Sequence, residues 1–107
     1  MSSKEQSKAI YETLKCFIEI KKEPFKNQSE KEKNQVFGIL SKRVNDILKF
    51  KLMDKAVNIF KNEFTKEDRY KIVDGIFLLM FYFENLEEYE KCQLIKNFND
   101  KFLIDIL

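Results

Sequence analysis

Apolar residues recur along this chain at the three- and four-residue intervals of an α-helix, with polar residues between them. Ile10, Tyr11, Leu14, Phe17 and Ile18 fall in one sector at about 100° per residue, and Lys8, Glu12, Lys15 and Glu19 fall opposite. Ser2 with Glu5, and Ser3 with Gln6, match the capping box that starts a helix. The residue before a proline avoids the helical region, so Lys21 to Glu23 end this first helix ahead of Pro24. A short connection through Phe25 to Gln28 follows, and Ser29 with Glu32 caps a second helix. Its stripe is Val36, Phe37, Leu40, Val44, Ile47 and Leu48, with Gly38, Lys42, Asn45 and Lys49 on the far side.

That phase does not continue. Met53, Val57, Phe60 and Phe64 lie roughly opposite the earlier stripe, so the chain breaks between Phe50 and Asp54, and Asp54 is the expected cap of a short third helix. Thr65 followed by Lys-Glu-Asp is the clearest helix start in the sequence. The fourth helix carries Tyr70, Val73, Ile76, Phe77, Met80 and Phe83 as its apolar face. Leu78, Leu79, Phe81 and Tyr82 add apolar surface on its other sides. The run from Ile76 to Phe83 would also suit a buried strand, but the periodic lead-in and the cap favour helix. Asn85 with Glu88 resembles a further capping box before a last helix with Cys92, Ile95, Phe98, Phe102 and Ile106 as its stripe. The expected fold is all-α: a compact, mostly antiparallel bundle of about five helices, four long and one short, with residues 1–107 as a single domain.

Composition narrows the chemistry. Phe occurs 11 times in 107 residues, Gly twice, Pro once, and His and Trp are absent. Lys greatly outnumbers Arg, a bias typical of an AT-rich genome. Without His, neither a Ser-His-Asp nor a Cys-His arrangement is available, and two cysteines cannot complete a zinc shell. Gly38 and Gly75 both fall inside predicted helices, so there is no phosphate-cradling loop. Glu84, Glu87 and Glu88 have helical spacing, but acids at a helix start need no metal to explain them. The sequence therefore predicts no enzyme activity, no cofactor and no metal. Cys16 and Cys92 read as reduced, partly buried thiols. No apolar run reaches the length of a membrane span, and the first residues lack the apolar core of a signal peptide, so a cytoplasmic protein is expected.

Net charge is only +2, but it is unevenly spread, basic in the middle and acidic towards the end. Two surfaces follow. On the fourth helix, Gly75, Leu78 and Tyr82 line one flank with Phe81 beside them. Glu84, Glu87 and Glu88 lie next to it as an acidic steering element. Gly75 would let another helix approach closely there, supplied either by another protein, by a second copy as a homodimer, or by a neighbouring helix of the same bundle. In the middle, Lys42, Arg43, Lys49, Lys55 and Lys61 offer phosphate contacts for a nucleic acid, although Arg is scarce and no aromatic row interleaves the charges. The protein-binding reading is favoured and nucleic-acid binding is the alternative. In length and helix count the chain resembles the bacteriocin immunity proteins, which are antiparallel four-helix bundles, a likeness of size and class.

Overall fold

The computed structural model describes the backbone of residues 2–106 and the side chains of residues 2–104. Six helices follow in chain order: α1 (Ser3–Glu19), α2 (Glu23–Lys26), α3 (Glu30–Lys49), α4 (Met53–Glu63), α5 (Lys66–Asn85) and α6 (Tyr89–Ile106). Three begin where a hydroxyl side chain satisfies an orphan donor of the first turn. Ser2 Oγ accepts from the Glu5 amide at 3.2 Å, Ser29 Oγ from Glu32 at 3.2 Å, and Thr65 Oγ1 from Asp68 at 3.1 Å. The Ser29 hydroxyl also donates to Glu32 Oε1 at 3.1 Å, which closes that cap from both ends.

α1 ends at Glu19, before the expected Lys21–Glu23, and Glu23 is not held out of the helical region but opens a helix of its own, followed by Pro24. The fixed φ of Pro24 suits the first turn of a helix, and the expected connection becomes the single turn α2, with half-buried Phe25 set edge-on against Phe37. The bundle thus has five helices of length and one short turn, against an expectation of four and one.

The break between α3 and α4 falls where the phase change places it, but its chemistry is different. Asp54 lies inside the first turn of α4, and Leu52 holds the capping position without a side-chain bond. The chain reverses through a Schellman motif: Lys51 sits in the left-handed region at φ 58°, its amide donates to Leu48 O at 3.2 Å, and the Leu52 amide donates to Ile47 O at 2.8 Å. The same motif joins α5 to α6. Glu87 has φ 58°, its amide donates to Glu84 O at 3.0 Å, and the Glu88 amide reaches Phe83 O at 2.9 Å. Asn85 is therefore the last residue of α5 rather than the start of a cap. In both places a helix end, fixed by backbone bonds, stands where a side-chain cap was expected.

α1 and α5 run in the same direction: the Tyr11 ring stacks on Phe64, just ahead of α5, at 4.9 Å, and further along Phe17 meets Gly75. α3 and α6 run the other way. Phe37, early in α3, stacks on Tyr82 near the end of α5, while Lys42 and Asn45 share a groove with Lys91 and Leu94 of α6. Sequential neighbours are thus antiparallel, and α4 lies across them with Phe60 on Phe102 at 4.6 Å. Phe17, Phe60, Phe98 and Phe102 are fully buried, so aromatic volume fills the centre. Among the described residues two polar side chains are also buried. Thr13 donates to Ala9 O at 2.8 Å, whereas Asn99 Oδ1 meets no donor among the described residues, and nothing in the structure explains it.

α5 is the central helix, packing on α1, α3 and α6. Its core face is rotated from the expected one. Ile72, Val73, Ile76, Leu79 and Phe83 are buried, while Tyr70 is exposed and Phe77 and Met80 are half-buried. A helix apolar on most sides has a shallow periodicity, and its neighbours rather than its own pattern decide which side is deepest.

A left-handed Lys or Glu costs about 1–2 kcal/mol that Gly avoids, partly offset by Gly's greater freedom in the unfolded chain. Lys51→Gly and Glu87→Gly are each expected to raise unfolding free energy by about 0.5–1 kcal/mol in urea titrations. A loss of stability in either variant would show that the αL residue's side chain contributes more than its backbone costs.

Candidate functional site

One apolar concavity was not foreseen from the sequence. Where α1 and α3 diverge, a trough of about 510 Å³ opens between them. Ile10, Thr13 and Ile47 form its buried floor, Leu52 closes the end, and Ala9 is an exposed small residue on its wall. Glu12, Arg43 and Asp46 stand on its rim. At its mouth is Phe50, 59% exposed, the residue that caps α3. The αL turn at Lys51 fixes where this ring stands, and the Lys49 ammonium lies 5.6 Å from its centroid. Phe50 read in the sequence as the edge of a break. Only the paired geometry of two antiparallel helices makes it the lip of a groove.

The flank singled out on α5 separates into different environments. Gly75 is buried against α1: a Cβ there would fall on the Phe17 carbonyl oxygen, so the close approach that glycine permits is made by a helix of the same bundle. Tyr82 is half-buried and stacks on Phe37 at 4.4 Å. Leu78 is half-buried against the core, and Phe81 is exposed. Substituting Leu78 and Tyr82 together would therefore damage packing as well as any surface. What remains outward is Phe77, Leu78 and Phe81, bordered by Lys21 and Asp74. Glu84 and Glu87 are exposed at the end of α5, and half-buried Glu88 turns towards α3.

The basic residues do not form one patch. Lys55 is tied to the start of α1, donating to Ser3 Oγ at 2.8 Å, Ser3 O at 3.2 Å and Gln6 Oε1 at 3.4 Å. Arg43 stands on the rim of the apolar trough and Lys49 lies by Phe50. Lys42 faces a second groove, of about 540 Å³, shared with Tyr82, Glu88 and Lys91. Lys61 is exposed on α4, and its carbonyl accepts from Arg69 at 2.8 Å, which closes the end of that helix. The second groove brings together a residue of the basic set with two of the acidic and aromatic set, which no spacing rule on a single helix would reveal.

Among the described residues, no group of three or more His, Cys, Asp or Glu side chains is placed to hold a metal, and no helix is long and apolar enough to cross a membrane. No protein-family model, curated protein or solved structure matches the chain.

Cys16 lies half-buried on α1 with Arg43 and Glu19 close enough to act on its charge. Burial raises its pKa above the ordinary thiol value; the Arg43 cation opposes this and the Glu19 carboxylate adds to it. The neutral thiol is thus the favoured form, and alkylation of Cys16 is expected to be slower than that of a free thiol at pH 8. Its rate should climb only at higher pH, and Arg43→Ala should shift the profile further up. Site-resolved mass spectrometry after timed alkylation reads both. Fast modification near neutral pH would contradict the assignment of burial as the leading cause.

Proposed function

We propose that this protein is a non-catalytic binding module, of the inhibitor, immunity or adaptor kind, that holds an apolar helix face of another protein in the trough between α1 and α3. The observation that carries the reading is the exposed Phe50 ring at the mouth of an apolar concavity. Large aromatic side chains are frequent binding anchors, and Phe50 stands exposed where it borders apolar surface it does not fill. The trough runs between two antiparallel helices and is open on one side, the shape that accepts a helix with anchors at i, i+3 or i+4 and i+7. Glu12, Arg43 and Asp46 on the rim supply both signs of charge for register without placing an unpaired charge on the floor. Nucleic-acid binding through residues 42–61 is the weaker reading, because Lys55 has its donors engaged and Arg43 borders apolar surface.

A photo-reactive phenylalanine analogue at position 50 tests the reading in an extract of the native host. The expected result is one discrete protein adduct, lost when Ala9→Arg fills the trough, with helicity unchanged because Ala9 is exposed. An adduct that persists in the filled variant, or none at all, would remove the trough as the binding surface.

A further inference from the structure

We infer that the outer face of α5 is a self-association surface, and that a second copy of this chain covers it. The rings of Phe77 and Phe81 lie 6.3 Å apart and 23° from parallel, and Phe81 is 54% exposed. With half-buried Leu78 they form an apolar centre at a shallow depression of about 470 Å³. Ile39 and Ile104 are also exposed, but as isolated residues on other helices, which is ordinary for a folded surface. The charges at the edge of the depression specify the occupant. Lys21, from the end of α1, and Asp74, from α5, line the same depression, and neither side chain has a partner among the described residues.

A patch with an apolar centre and one unpaired charge of each sign is complementary to itself under a two-fold rotation. A two-fold axis through the aromatic centre sets the ring pair of one copy on that of the other. It carries each Lys21 towards the partner's Asp74, with Glu84 on the same side of α5 extending the acidic edge. A partner of one charge sign would leave one of the two unsatisfied. The trough between α1 and α3 is formed by other residues, so a dimer built this way presents two troughs and binds a bivalent target with avidity.

Sedimentation equilibrium of the purified chain over about 10 µM to 1 mM tests the inference. The expected behaviour is a reversible monomer–dimer equilibrium that weakens with salt. Phe81→Ser is expected to raise the dimer Kd by at least about tenfold, as loss of a central aromatic anchor does, with the circular dichroism spectrum unchanged. Lys21→Asp and Asp74→Lys should each weaken the dimer, and the double exchange should restore it, because each pair is then rebuilt with its signs reversed. A chain that stays monomeric over the whole range overturns the inference, as does a dimer indifferent to Phe81→Ser or not restored by the double exchange. Cross-linking at position 50 reads the trough of a monomer as well as of a dimer, so loss of the dimer and failure of the trough are distinguishable.

Discussion

Where α1 crosses α5 at Gly75, no side chain separates the two helices. The space a Cβ would take is held by the Phe17 carbonyl and Phe17 Cβ, so α1 rests directly on the backbone of α5. Interiors are close-packed and respond to a single added methyl group. This one absent methyl therefore sets the separation of the two helices that run in parallel, and the rest is arranged around them. Phe17 is fully buried at the crossing, with Leu14 before it and Ile20 after it. The Tyr11–Phe64 stack closes one end of the same contact.

Holding α1 so close to α5 has consequences on both sides. α3 touches α5 through Phe37 and Tyr82 and lies against α1 less closely than α5 does, and the space left between α1 and α3 is the apolar trough. Another side of α5, with half-buried Phe77, leaves the Phe81 ring exposed among the described residues. The two surfaces with functional potential are thus products of one packing decision. The apolar flank of α5 is divided between the fold at Gly75 and Tyr82 and the surface at Phe81.

How much of this was legible in the sequence depended on the range of the interactions involved. Local signals read well. Ser2, Ser29 and Thr65 cap their helices as expected, because a cap involves residues three apart. The phase slip near Phe50 located the α3–α4 break. Backbone-determined features read less well: Schellman ends at Lys51 and Glu87 lack the glycine that usually announces them. On α5, where nearly every side is apolar, periodicity could not tell Ile72 and Leu79 from Tyr70 and Met80, since the depth of burial is decided by three other helices. Gly75 was recognisable as a place of close approach, but not which helix approaches. The trough joins residues forty apart in the chain, and no local pattern contains it.

The account turns on the crossing at Gly75, and a comparison of the two glycines tests it most directly. Gly38 lies on the exposed side of α3 with nothing within 4 Å of a built Cβ. Both residues are in helix interiors, so intrinsic propensity favours alanine equally at each, by about 0.5–1 kcal/mol. Urea unfolding should show Gly38→Ala more stable than the parent by that amount, and Gly75→Ala less stable by at least about 2 kcal/mol. Equal stabilisation by the two substitutions would mean that α1 does not rest on the α5 backbone, and the arrangement built on that contact would fall with it.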